Sequence, residues 1–194
     1  MKFILPLLLT IINVVTVAGQ DFAGVDTAMI KQRICMQGDT FDSLVNATKP
    51  QLDTAAVAVH LVSADEFAKV CKLSGKKRAI IYLWASWCHF STENLSNAKR
   101  LNTTKDTVIF LSADVASSSQ IKYIKKVCAY YNLRSTYLIN SDFALQNPRD
   151  PGRVKKFLKP FHSSYDDGSP YYILLDSSKK KIAKEGYALA DLKL

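Results

Sequence analysis

The stretch WASWCHFS, Trp84 to Ser91, sets a cysteine at the junction of an apolar, strand-like run and a helix-like run. Such a turn is expected to expose Cys88. A cysteine thiolate is the nucleophile that opens a disulfide, leaving a mixed disulfide on the attacking sulfur. Three features favour the charged form. Cys88 lies at or just before a helix N-terminus, where the dipole and unpaired N–H groups favour negative charge. His89, when protonated, adds a positive charge, and Ser91 is placed to donate a hydrogen bond to the sulfur. A partner cysteine three residues after Cys88 would release the substrate, but Ser91 stands there and forms no S–S bond. Cys88 is thus expected to begin an exchange that a thiol from elsewhere must end.

The other cysteines are Cys35, Cys71 and Cys128. Cys71 and Cys128 fall on apolar helix faces and read as small core residues. Cys35 lies in an N-terminal extension, and a Cys35–Cys71 disulfide stays open as an alternative. Four cysteines in 194 residues are too few for a disulfide scaffold. No pair has zinc-site spacing, and His60, His89 and His162 form no ligand pattern with them, so neither a metal nor a cofactor is expected. His89 also has a plainer reading as a solvated residue on the first helical turn, and His60 and His162 carry no assignment.

Composition sets the compartment. The chain is 48% hydrophobic and 22% charged, an ordinary globular balance. Lys2, an apolar run from Phe3 to Val17 and the small residues Ala18 and Gly19 follow the plan of a secretory signal peptide. The run is short for a bilayer span and is interrupted by Pro6 and Asn13, which argues against a stable membrane anchor. Export to the periplasm or the extracellular space is expected. The net charge of +9 comes from scattered lysines without interleaved aromatics, which fits a solvated surface rather than a nucleic-acid face.

Residues 1–19 thus read as the signal peptide, 20–54 as the extension and 55–194 as the domain. Within the domain, Ala55–Val62 is a short apolar strand, and Ser63 with Glu66 forms a capping box for a helix carrying Phe67, Val70 and Cys71. Ala79–Trp84 is apolar throughout, as in a strand buried on both faces. A helix is expected from Cys88 to about Leu101, then a strand at Thr107–Ser112. Ser117 and Gln120 cap a further helix, and a short strand follows in STYLIN. After a turn-rich loop around Pro148 and Pro151 and a short helix interrupted by Pro160, YYILLD and KIAKEGY supply two closely spaced strands. Alternating strands and helices imply parallel pairing, while the last two strands are too close for a crossover and should form an antiparallel hairpin. The fold class is α/β, with a central mixed sheet flanked by helices. Cys88 then sits at the carboxyl end of a strand, where open α/β sheets place their sites.

LWASWC (Leu83–Cys88) and GSPYYILLDSSKKKI (Gly168–Ile182), in this order and with these elements between them, resemble the thioredoxin superfamily. The likeness is to its exported TlpA/ResA-type redoxins and runs from about Ala55 to Gly186. The resemblance implies a thioredoxin-like fold in which Pro170 follows a cis peptide bond and, with Ser169, faces Cys88. It also exposes departures. The family's Cys-x-x-Cys is degenerate here, Cys-x-x-Ser. Tyr82 occupies the place, six residues before the cysteine, where thioredoxins carry a buried proton-transferring aspartate. Ala85 stands where peroxiredoxins need a threonine, so a peroxidase is excluded, and the C-x-x-x-C of copper carriers is missing.

Two functions follow. One is monothiol thiol–disulfide exchange at Cys88 with protein thiols or disulfides, using an external resolving thiol. The other is a redox-inactive module whose groove, between Trp84, Trp87, Phe90 and Pro170, binds an extended peptide or partner. Trp84, inside a buried strand, fits core packing better, whereas Trp87 beside the cysteine fits a contact surface.

Overall fold

The apolar run before the cysteine becomes the fourth strand across a six-stranded sheet in the computed structural model, which describes residues 52–140, 151–166, 168–189 and 192. The signal peptide, the extension up to residue 51 and the loop at 141–150 lie outside the described residues. The strands are β1 (Ala58–Val62), β2 (Arg78–Trp84), β3 (Asp106–Ser112), β4 (Ser135–Ile139), β5 (Tyr171–Leu175) and β6 (Ile182–Gly186), in the spatial order β1-β4-β3-β2-β5-β6. The first four run parallel, and β5 and β6 form the antiparallel hairpin expected from their spacing. With helices on both faces, this is the thioredoxin-like α/β architecture implied by the sequence.

Burial on both faces explains the composition of β2. Ala79, Ile81 and Leu83 enter one core cluster, while Ile80, Tyr82 and Trp84 enter the clusters on the opposite face. The first face is covered by α1 (Ala64–Leu73), through Phe67 and Cys71, and by α5 (Pro151–Leu158), through Val154, Phe157 and Leu158. The second is covered by α3 (Leu95–Arg100) and α4 (Ser118–Tyr130), through Leu95, Ala98, Ile124, Val127 and Cys128. Phe67 links the first layer by ring contacts with Tyr137, Phe157 and Phe161.

Local signals place several boundaries. Ser63 and Glu66 make the full reciprocal capping box of α1. Pro160 falls in a short 3-10 helix, Lys159–Phe161, directly after α5, so the interruption expected at that proline is present. Other boundaries moved. β1 begins at Ala58 rather than Ala55, because Asp53 accepts a hydrogen bond from the Ala56 N–H and bends residues 54–57 into a turn. The helix after Cys88 is two pieces, α2 (His89–Glu93) and α3, divided at Asn94. The Asn94 amide donates to the Phe90 carbonyl, competing with the helix's own ladder.

The register of β2 on β3 matters for the site. Arg78 lies opposite Asp106, where a bidentate ion pair of 2.6 and 2.8 Å pins the entry end. At the other end Trp84 lies opposite Ser112, so the chains leave the sheet side by side.

Cys71 and Cys128 are wholly buried, each in a different core layer, and burial pushes both thiols up to about 12. In the unfolded chain they ionise near the ordinary value of 9, so above that pH the unfolded state holds fewer protons than the folded one. Stability should therefore fall as pH rises from about 9 towards about 12. A urea midpoint clearly lower at pH ~10.5 than at pH ~8 is expected; an equal midpoint would contradict this burial.

Candidate functional site

Between the end of β2 and the start of α2 the backbone turns through Ala85, Ser86 and Trp87 to Cys88, the N-cap residue of α2. The Cys88 N–H donates to the Ala85 carbonyl at 3.0 Å, closing the turn. Contrary to the exposure expected from the sequence, Cys88 is 0% exposed and belongs to the first core cluster. The reason is the α5 layer and the Ser169–Pro170 loop, which lie on that side of the sheet. The Ser169–Pro170 peptide is cis, and the Cys88 thiol donates to the Ser169 carbonyl oxygen at 3.0 Å. That bond exists only while the sulfur keeps its proton, since a thiolate would face a carbonyl oxygen.

Ser91 behaves differently from the sulfur donor anticipated above. Its hydroxyl is buried and turned to the loop backbone. It accepts from the Ala85 N–H at 3.1 Å and points its proton at the carbonyls of Ala85, 2.9 Å, and Cys88, 2.8 Å. None of these bonds reaches the sulfur. Ser91 thus staples the turn, giving the buried Ala85 N–H its acceptor and adding a second bond to carbonyls that already accept from the Cys88 and Thr92 N–H groups.

His89 holds Glu93 through its Nε2, 3.0 Å from the carboxylate, and its ring lies tilted against Phe90. Its Nδ1 is buried without a hydrogen-bond partner. Phe90 is 44% exposed, Trp87 packs on the Cys88 cluster, and Trp84 is fully buried with its Nε1 donating to Thr136 Oγ1. Trp84 therefore lines no groove. The dipole expected behind Cys88 is also small, because α2 has only five residues.

Tyr82, six residues before Cys88 where thioredoxins carry an aspartate, is buried and donates its hydroxyl to the Ser91 carbonyl at 3.0 Å. Burial pushes its phenol up, and the Cys88 sulfur, once ionised, would push it further. A phenol held protonated in this way can support the loop but cannot take a proton from the thiol.

Beneath the turn lies a carboxylate that the sequence reading missed. Asp114 is 1% exposed, and donors fill both of its oxygens. Oδ2 accepts from the Ser86 N–H at 2.9 Å and the Ser112 hydroxyl at 2.6 Å. Oδ1 accepts from the Ser86 hydroxyl at 2.8 Å and the Gln120 amide at 2.9 Å. Burial pushes the carboxyl up, against the pull of Ser112, Ser86 and the Arg153 charge. Buried Arg153, on α5, donates its Nη1 to the Asp114 backbone carbonyl at 3.0 Å. The signal for this contact is the strand register: with Trp84 opposite Ser112, two further residues on each chain bring Ser86 beside Asp114. Among the described residues no group of three His, Cys, Asp or Glu side chains could hold a metal ion.

Comparison with known proteins adds little to this geometry. No family model matches the chain, and no curated protein matches it. Among solved structures, a secreted disulfide oxidoreductase of Mycobacterium tuberculosis homologous to E. coli DsbE is 16% identical, over 58% of this chain and 69% of that one, with a TM-score of 0.38. The thioredoxin domain of a Bacteroides vulgatus thiol-disulfide oxidoreductase is 22% identical, over 60% and 74%, at 0.40. A thioredoxin-like protein of Parabacteroides distasonis is 13% identical, over 70% and 95%, at 0.42. Chains this far apart carry no activity from one to another.

Replacing Ser91 by alanine leaves the Ala85 N–H buried without its acceptor. The expected loss of stability is about 1–3 kcal/mol, read from urea unfolding. A loss below about 0.5 kcal/mol would mean that the staple does not hold the turn.

Proposed function

We propose that this chain is an exported monothiol protein, with a signal peptide at 1–19, an extension at 20–54 and a thioredoxin-like domain at 55–194, that exchanges disulfides at Cys88. The observation that carries this reading is the pairing of Cys88 with the loop before β5, its sulfur 3.0 Å from the Ser169 carbonyl and beside Pro170. The resemblance noted in the sequence leads one to look for that juxtaposition. A polar backbone edge next to a cysteine at the carboxyl end of a strand suits an extended peptide carrying a disulfide. The export reading rests on the N-terminal sequence; no helix among the described residues is long and apolar enough to cross a membrane.

The exchange balances without a cofactor. The Cys88 thiol leaves the Ser169 carbonyl and loses its proton, and the thiolate attacks one sulfur of a substrate disulfide R–S–S–R′. A Cys88–S–S–R bond forms, the S–S bond of the substrate breaks, and R′–S⁻ departs and takes up the proton. With Ser91 in place of a second cysteine, an external thiol must attack the mixed disulfide, regenerating Cys88 and carrying R away. Trp87 and exposed Phe90 border the turn and are the aromatic surface for the peptide. His89, joined to Glu93, is the nearest ionisable side chain in sequence to the sulfur.

One observation favours the second reading, a redox-inactive binding module: Cys88 is completely buried. A single experiment separates the two. Native protein is incubated near pH ~7.5 with a peptide disulfide, quenched with acid and mapped by mass spectrometry. Exchange at Cys88 predicts a peptide adduct on Cys88 in the native chain and no adduct in Cys88→Ala. No adduct on the native chain would leave the binding module as the function.

A further inference from the structure

A thiol with no exposed surface reacts only when its surroundings open, so what holds the turn closed controls what reaches it. Two buried side chains bind the turn's inward polar groups. Ser91 takes the N–H and carbonyl of Ala85 and the carbonyl of Cys88 from the α2 side. Asp114 takes both the N–H and the hydroxyl of Ser86 from the β3 side. Gln120 braces the second contact, donating to the Ser86 hydroxyl at 2.6 Å as well as to Asp114. The N–H of Asp114 itself binds Ser112 Oγ, so the carboxylate stands on a fixed strand end.

The same residue reaches the layer that covers the sulfur. Arg153 donates to the Asp114 carbonyl, and Val154 and Phe157 beside it on α5 pack in the cluster that contains Cys88. Asp114 thus touches the strand end behind the turn, the turn itself and the helix over the thiol.

We propose that Asp114 is the positioning residue of the Cys88 site: its clamp on Ser86 holds the turn, and with it Cys88, closed beneath α5 and the Ser169–Pro170 loop, and release of that clamp is the local opening through which Cys88 meets a disulfide. The inference rests on the reading of Cys88 as the reacting thiol. It explains how a buried sulfur serves exchange without loss of the fold. Opening breaks the Ser86 contacts, whose groups then find water, and frees Cys88 at one end of the first core layer, while Cys71 in the rest of that layer and Cys128 in the other stay buried. In Asp114→Ala the Ser86 N–H is buried without an acceptor in the closed state, so the closed state loses its advantage over the open one. Asparagine keeps one oxygen for that N–H, and Ser86 Oγ and Gln120 can turn to accept from its amide. It should hold the turn nearly as well.

The test is alkylation of the full chain by iodoacetamide at pH ~7.5, with modification of each cysteine followed separately by peptide mass spectrometry. Asp114→Ala is expected to speed labelling of Cys88 about tenfold, with Cys71 and Cys128 as slow as in the native chain. Asp114→Asn should stay within about threefold of native. Equal Cys88 rates in native and Asp114→Ala protein overturn the proposal, and so does joint acceleration of all three cysteines, which marks general loosening. If Asp114→Ala does not fold, Ser86→Ala decides. It removes one of the two contacts and should raise the Cys88 rate about threefold; no rise overturns the proposal. Alkylation needs no disulfide substrate, so a native chain that forms no peptide adduct defeats the exchange reading and leaves this outcome to be read independently.

Discussion

The turn from Ala85 to Cys88 directs backbone polar groups into the buried core, and each unpaired group there would cost about 1–3 kcal/mol. Ser91 and Asp114 meet that demand, one from the helix that follows the turn and one from the neighbouring strand. The rest of the arrangement depends on it. Ser91 is brought to the turn by α2, and the Tyr82 hydroxyl holds that helix at the Ser91 carbonyl. Asp114 is brought there by the parallel register of β2 and β3, pinned at the far end by Arg78 and Asp106.

This constraint gives Ser91 a task of its own. The position three residues after Cys88 is an inward-facing support of the turn, a task a hydroxyl performs well because it donates and accepts at once. Six residues before Cys88, where thioredoxins carry an aspartate, stands a phenol that burial keeps protonated, again a support rather than a proton carrier. Both residues favour a firmly closed resting site with the sulfur bonded to Ser169 as a thiol. Such a site suits a slow, gated nucleophile better than a standing thiolate.

Where one sequence feature acts on its own neighbours, the sequence was readable. The buried strand at Ala79–Trp84, the capping box at Ser63, the β5–β6 hairpin and the break at Pro160 are of this kind. The cis step at Ser169–Pro170 was legible only through the family likeness. Features decided by distant partners were not readable. Cys88 is buried because α5, more than sixty residues later in the chain, packs on its face of the sheet. Ser117–Gln120 looks like a capping box, and Ser117 does cap α4, but the Gln120 amide is drawn away to Asp114 and Ser86. Asp114 itself reads as an ordinary polar residue after a strand until the register sets it beside Ser86.

The central claim is that Cys88 starts an exchange the chain cannot finish alone. Its most direct test is the lifetime of the adduct. Cys88 carrying a peptide through a mixed disulfide is freed of excess disulfide and followed by intact mass under thiol-free conditions. The account predicts that the adduct persists for hours and leaves promptly when glutathione is added. Spontaneous release of the peptide, with the mass of an internal disulfide from Cys88 to Cys35, Cys71 or Cys128, would contradict it.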